Sequence, residues 1–251
     1  MLERAGITCW IPQRDDSALF EKDLGAVFYC AGVNAASSRK VYESERVHIG
    51  LTAEILSRAT FDSFLYLSST RVYMGAARGD EEATLSVNPT NSDHLFNVTK
   101  LAGEAVCLND DRRAVRVARV ANVFGPGARP GTFLPSIISA ALRERRVILK
   151  STPDTAKDYL SIDDCVRALM AVAQRGTDRL YNVASGNNVA HAEITDRLAR
   201  RTGAIIEVET GAPKINYPII DVKRLRKLLP EPPVRVVDAL DDLIRSYEET
   251  V

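Results

Sequence analysis

The chain has 251 residues, 45% of them apolar and 26% charged, which suits one sizeable core or a nucleotide-binding domain with a smaller companion. Its 33 basic and 33 acidic side chains balance, so nucleic acid and an anionic membrane are excluded as expected main partners. No apolar stretch is long enough to span a bilayer, and none reads as a signal peptide.

In chain order, the apolar run at 7–11 reads as a strand. The segment between Asp15 and Gly25 is too short for a strand–helix–strand excursion and predicts a reduced connection. Residues 27–31, ahead of Gly32, read as a buried parallel strand. Val47, Leu51 and Ile55 give 42–59 helical period. Residues 64–67 form the next strand, which runs into Ser68, Ser69 and Thr70. The Gly-, Asp-, Asn- and Pro-rich stretch 75–93 predicts a surface loop, followed by a helix over 93–108. A strand at 115–121, a helix at 132–145, a strand at 157–163 returning to the main sheet, a helix at 163–174 and a strand at 180–185 follow. The remainder predicts helices at 192–202, 223–229 and 236–247 and a strand at 205–208.

Cys9, Cys30, Cys107 and Cys165 are scattered without a Cys-x-x-Cys, which predicts buried, reduced thiols in a cytoplasmic protein. His48, His94 and His191 lie far apart with no metal-ligand spacing, so no metal site is expected. The basic runs 143–146 and 224–227 read as solvated helix faces.

Four motifs fall in a fixed order: Ser68-Ser69-Thr70-x-Val72-Tyr73, Phe96-x-x-x-Lys100, Arg119-x-x-Asn122-Val123-Phe124-Gly125-Pro126 and Lys157-Asp158-Tyr159-x-x-x-Asp163. Together they resemble the extended short-chain dehydrogenase/reductases, the NAD(P)-dependent nucleotide-sugar epimerases and dehydratases. The resemblance implies an α/β fold with a Rossmann-like doubly wound parallel sheet and a smaller C-terminal α/β lobe. Residues 1–122 and 155–185 would form the dinucleotide-binding domain, and 123–154 with 186–251 the substrate lobe.

In that family a tyrosine four residues before the lysine exchanges the proton. A phenol titrates near 10, and an ammonium one helical turn away draws it toward neutrality. Here the tyrosine position holds Phe96, which has no proton to give. The resemblance assigns Ser69 to the substrate oxygen and Lys100 to the cofactor ribose. Some other group, Tyr73, His94 or a water, would then carry the proton. His48 stands where the family's helix has an asparagine, and reads either as an active-site group or as a packed histidine.

For cofactor binding the resemblance points to Arg14, at the end of the family's second strand, and to Ala31, Gly32, Lys100 and Ala121. Arg14 would suit an NADP phosphate and Asp15 or Asp16 an NAD ribose, so the choice stays open. For substrate it points to Thr70, Asn122 at the diphosphate, Phe133 in the segment covering the nucleotide, and Lys157 as a point charge for phosphate. A turn-capping role is the plain alternative for Asn122.

The family's opening Gly-x-x-Gly-x-x-Gly turn, whose helix N-terminus holds the pyrophosphate, does not occur in this sequence. Residues 1–6 read as the end of that helix. The expectation is an incomplete start, with a natural remnant or an engineered piece as alternatives, and weak NAD or NADP binding by the chain as it stands. The expected activity is that of an NAD(P)-dependent epimerase, dehydratase or reductase on a nucleotide-linked sugar, with altered proton transfer. The alternative is a catalytically silent binding protein that keeps the fold and a dimer surface. A homodimer through helices 42–59 and 93–108 is expected.

Overall fold

The computed structural model describes residues 6–33, 41–128 and 131–249. The chain runs through β1 (Ala26–Tyr29), α1 (Val41–Glu45), a π-helical turn (Arg46–Gly50), α2 (Leu51–Arg58), β2 (Ser63–Ser69), α3 (Leu95–Leu108) and β3 (Val115–Val120). It continues through β4 (Asn122–Phe124), α4 (Phe133–Glu144), β5 (Arg146–Leu149), β6 (Ala156–Ser161), α5 (Ile162–Arg175) and β7 (Leu180–Val183). The last part adds β8 (Asn188–Ala190), α6 (His191–Thr202), β9 (Ile205–Val208), α7 (Lys223–Leu228) and α8 (Val236–Glu248).

The central sheet has the order β1-β2-β3-β7, and every pair in it is parallel. Phe64, Leu65, Tyr66, Val115, Val117 and Ala118 are all buried, so the middle strands are covered on both faces, as a parallel sheet between helices requires. On one face Phe64, Tyr66 and Val117 pack with Leu51 and Ile55 of α2 and Cys107 of α3. On the other, Leu65, Ala118 and Val183 pack with Cys165, Leu169 and Val172 of α5. A second core joins Ile138 of α4, Ile194 and Leu198 of α6 and Leu240 and Ile244 of α8.

Several expectations need correction. The strand at 7–11 does not form: residues 7–13 have no regular structure, and Ile11 is 88% exposed. The outer edge of β1 has no strand neighbour among the described residues. A strand is stable only when another supplies its hydrogen bonds, so apolar patterning alone cannot hold 7–11 extended. The segment after it is short, as expected, with Asp16 capping a 3-10 turn at Ser17–Leu19 and a single bridge from Asp23 to Thr60.

The strand expected at 157–163 does not return to the main sheet. It forms β6, parallel to β4 and antiparallel to β8 in a separate three-stranded sheet. The free edge of β3 is occupied by β7, from Val117↔Leu180 to Val120↔Val183, which leaves β6 no place there. The run 143–146 is not one helix face. Arg145 ends α4 with φ 55° and Arg146 opens β5, which pairs with β9.

Cys107 and Cys165 are buried, whereas Cys9 and Cys30 are exposed. Cys9 lies in the irregular N-terminal segment, and Cys30 lies just past the end of β1, outside the packed sheet. Among the described residues no helix is long and apolar enough to cross a membrane.

Candidate active site

Ser69 closes β2, and its Oγ accepts the N–H of Arg71 at 3.2 Å, capping a 3-10 turn at Thr70–Tyr73. Thr70 is buried on that turn. Beside the strand end runs α3, with Phe96, Lys100 and Glu104 at four-residue spacing on one face. Lys100 donates from Nζ to the Leu67 carbonyl at 2.8 Å. Leu67 lies two residues before Ser69, so the ammonium contacts the backbone just short of the strand end that presents the hydroxyl.

Lys100 also borders the loop after β1. A Cβ placed on Gly32 would sit 3.6 Å from Lys100 Nζ and 3.4 Å from His48 Nε2. Lys100 is 6% exposed, and its ammonium forms no ion pair among the described residues. Burial pushes its pKa down to about 8, with the nearby Glu104 pulling the other way. An unpaired buried cation is costly, and such groups cluster at functional sites.

Phe96 is half-buried and meets the His48 ring edge-on, with centroids 5.6 Å apart. His48 sits in the π-helical turn, fully buried. Its Nε2 accepts the Val33 N–H at 3.2 Å, so the ring proton is on Nδ1, which donates to Thr99 Oγ1 at 2.9 Å. Burial, helped by Lys100 and Arg14, pushes its pKa down to about 3. Both nitrogens are engaged, and His48 acts as a clamp between the loop at 31–33 and α3. The π-helical turn itself comes close to α3 at Gly103, where a Cβ would fall 2.3 Å from the His48 carbonyl oxygen.

Arg14 reaches the same loop, donating to the Gly32 carbonyl at 3.3 Å and to Glu43 Oε1 at 3.0 Å. Ala31 is half-buried beside it. Ala121 is buried where β3 gives way to β4, its N–H on the Val183 carbonyl.

The geometry removes Tyr73 as a proton carrier. It is fully buried, accepts from Arg119 at 2.7 Å and faces Asn182 Oδ1 at 2.9 Å, and burial raises its pKa. His94 is spent differently: its Nδ1 accepts the Asn88 N–H at 3.0 Å, bracing the loop before α3.

A second group of residues lies where β4 and β6 meet the C-terminal lobe. Asn122 is exposed, with Nδ2 on the Asp158 carbonyl at 2.8 Å. Lys157 Nζ stands 5.9 Å from the Phe133 ring centroid and 5.6 Å from that of Tyr217. Burial lowers its pKa, and so does the charge of Arg71. Arg71 donates to Tyr217 Oη at 3.5 Å and to the Asp93 carbonyl at 3.2 Å. The Phe133 ring stacks on His191 at 3.9 Å. His191 faces Ser151 Oγ through Nδ1 at 3.1 Å, while its Nε2 is buried without a partner among the described residues, as are Tyr159 Oη and Asn188 Oδ1.

The structure thus joins Arg14, Gly32, Phe96 and Lys100 around the strand ends, and Asn122, Phe133 and Lys157 in the second group. Sequence reasoning assigned nothing to Arg71, Tyr217 or His191. For Arg71 a signal existed, a long cation inside a motif of hydroxyls and small apolar residues. For Tyr217 and His191 there was none, because their partners are distant in the chain.

Comparison with known proteins places this geometry. The profile of the NAD dependent epimerase/dehydratase family matches residues 7–184. A dTDP-glucose 4,6-dehydratase of Streptomyces griseus is 25% identical over 217 residues, covering 81% of this chain and 65% of that protein. Two further curated relatives are matched over 41% and 34% of their lengths. Among solved structures, MoeE5 in complex with UDP-glucuronic acid and NAD is similar with a TM-score of 0.79 at 22% identity, covering 100% of this chain and 94% of that one. A UDP-glucuronic acid 4-epimerase from Bacillus cereus, in complex with UDP-glucuronic acid and NAD, has a TM-score of 0.72 at 22% identity, covering 88% and 73%. The family profile spans most of the chain, and the parallel sheet with its helices matches in three dimensions: this chain belongs to the NAD dependent epimerase/dehydratase family.

Proposed function

We propose that this chain acts on a nucleotide-linked sugar as an NAD(P)-dependent epimerase, dehydratase or reductase, with proton transfer altered by Phe96. The observation that carries the reading is Lys100, buried between the end of β2 and the loop at Gly32 and without an ion pair among the described residues. The fold alone does not need a desolvated ammonium there, whereas a ribose hydroxyl would add a partner to the Leu67 carbonyl.

The residues present fit the ribose side of a dinucleotide. Lys100 offers the charge, Gly32 leaves room for close approach, and Arg14 lies at the loop's edge. For the pyrophosphate, no glycine turn leading into a helix N-terminus faces them among the described residues, and weak NAD(P) binding by these 251 residues remains part of the proposal. When bound, the nicotinamide supplies a hydride acceptor or donor. The chain's own part is to hold the sugar oxygen on Ser69 and to seat the diphosphate near Asn122 and Lys157, with Thr70 and Phe133 lining the substrate. The two lobes read from the sequence would divide these tasks, and a cytoplasmic homodimer through α1–α2 and α3 completes the proposal.

A second reading is favoured by one observation. Phe96 has no exchangeable proton and Tyr73 is locked in a buried network, as in a catalytically silent member that retains binding.

The experiment compares wild type with Phe96→Tyr for turnover of UDP- and dTDP-linked hexoses with excess NAD(P). A general acid–base group contributes about 10²–10⁴-fold, and a gain of that order is expected. Equal, high turnover by both would show that another group moves the proton. Failure of either protein to bind a nucleotide sugar would end the enzyme reading.

A further inference from the structure

Arg71 and Lys157 approach one another across Tyr217. Arg71 donates to the Tyr217 hydroxyl, and Lys157 stands over the ring of the same tyrosine. Neither cation forms an ion pair among the described residues. The partners of Arg71 are a phenol and a backbone carbonyl, and those of Lys157 are the faces of two aromatic rings. Burial and the guanidinium both depress the Lys157 ammonium. Two like charges held this close in a partly desolvated cleft repel each other, a cost that anionic ligand groups would remove.

The two cations do not occupy equivalent places. Lys157 lies on β6, next in sequence to Asp158, whose carbonyl holds Asn122. That is the diphosphate side of the proposed function, on which this argument rests. Arg71 lies in the turn that Ser69 caps, its own N–H on the Ser69 hydroxyl oxygen. Its backbone adjoins the hydroxyl that would hold the reacting sugar oxygen, while its guanidinium reaches out to Tyr217 and the Asp93 carbonyl. In the proposed pose, a sugar spanning from Ser69 to a diphosphate at Lys157 would carry its remaining exocyclic group toward the guanidinium beside Tyr217.

A guanidinium has five N–H donors in a planar fork that matches a carboxylate. Two contacts are spent on Tyr217 and Asp93, which orient the fork and leave donors over.

We infer that Arg71 is a specificity-determining residue which selects a nucleotide sugar bearing a carboxylate on its sugar ring, a nucleotide uronic acid, over its neutral hexose counterpart.

The test is calorimetric titration of the whole chain with three probes: the free nucleoside diphosphate, its glucose conjugate and its glucuronate conjugate. Each is tried with uridine, thymidine and guanosine as the nucleoside. Wild type should favour the glucuronate conjugate over the glucose conjugate by tenfold or more. Arg71→Gln should bring that ratio close to one while leaving the free diphosphate and the glucose conjugate within about twofold of wild type. Arg71→Lys, which keeps charge without the fork, should retain a reduced preference, and it guards against a loss that only reflects disturbed packing around Tyr217. Lys157→Gln should weaken all three probes alike.

A wild-type ratio near one overturns the inference while leaving the proposed function standing. So does an Arg71→Gln variant that loses free diphosphate as strongly as uronate, because Arg71 would then serve the phosphates. Absence of binding by wild type to every probe overturns the proposed function, and this inference with it.

Discussion

Beneath the central strands, Arg119 bonds to both carboxylate oxygens of Glu104 and to the Tyr73 hydroxyl. Glu104 also accepts from Ser68, and Asn182 ties Tyr73 to the backbone of Gly79 and Asp221. Elsewhere, Lys100 at the end of β2 and Arg71 and Lys157 around Tyr217 carry positive charge and form no ion pair among the described residues. Both regions exclude water to a large degree, yet only one satisfies its charges internally. A satisfied ion pair holds α3 to β3 and asks nothing of a ligand. Unsatisfied cations lower the stability of the empty protein and raise the affinity for whatever anion or hydroxyl reaches them.

The contrast can be broken most strongly at the buried pair. Arg119→Leu leaves the Glu104 carboxylate, 2% exposed, without its partner. Removing one member of a buried pair costs about 3–5 kcal/mol, which for a chain of this size lowers Tm by on the order of 10 °C. Replacing both residues by apolar ones should recover most of the loss. A single variant within 1–2 °C of wild type would mean that water or another side chain neutralises Glu104 and that the network is not self-contained.

Lys100→Met probes the opposite case and should change stability in the opposite direction. The folded-state pKa of Lys100 is depressed to about 8 from the ordinary 10.5, so below pH 8 the native state carries a charge that it disfavours. The shift corresponds to roughly 3 kcal/mol, reduced by about 1 kcal/mol for the lost bond to Leu67. At pH 7 the variant should be more stable by about 2 kcal/mol in chemical denaturation, with weaker cofactor binding. The gain should shrink as pH rises from 8 toward 10.5, where wild type sheds the proton. A less stable Lys100→Met would place Lys100 with the scaffold.

The third test is of acid stability. His48, near 3, and His191, near 4, titrate below the ordinary 6.5 because both are buried. On acidification below about 6.5 the unfolded chain takes up protons that the native state refuses, so stability falls. Each histidine contributes at most about 1.4 kcal/mol per pH unit. Asp158, raised by burial to about 6, acts with the opposite sign between 6 and 3.8. The net expectation between pH 6 and 4 is a loss of about 1.4 kcal/mol per unit, read from denaturation midpoints. His191→Leu should flatten the slope, and an unchanged slope would show that the histidine is protonated in the folded state.

Local spacing already decided much of this protein. The i, i+4 placement of Phe96 and Lys100 on one helix face, the hydroxyls ending β2, and the apolar stripes of α6 and α8 are properties of short stretches of chain. Helical and extended periodicity therefore exposed them. The order of strands and helices, with the motif series, was enough to name the family. Tertiary structure decided what depends on a neighbour. Residues 7–11 have the composition of a strand and remain irregular because no strand lies beside them among the described residues. The β6 segment has the pattern of a core strand, and its sheet was settled by β7 occupying the edge of β3. His48 became a clamp rather than a catalyst once Val33 and Thr99 took its two nitrogens. Arg71 acquired its environment from Tyr217, 146 residues away. No periodicity encodes such a pairing: long-range contacts follow from how packed elements meet, and a side chain's charge state follows from what those contacts leave unpaired.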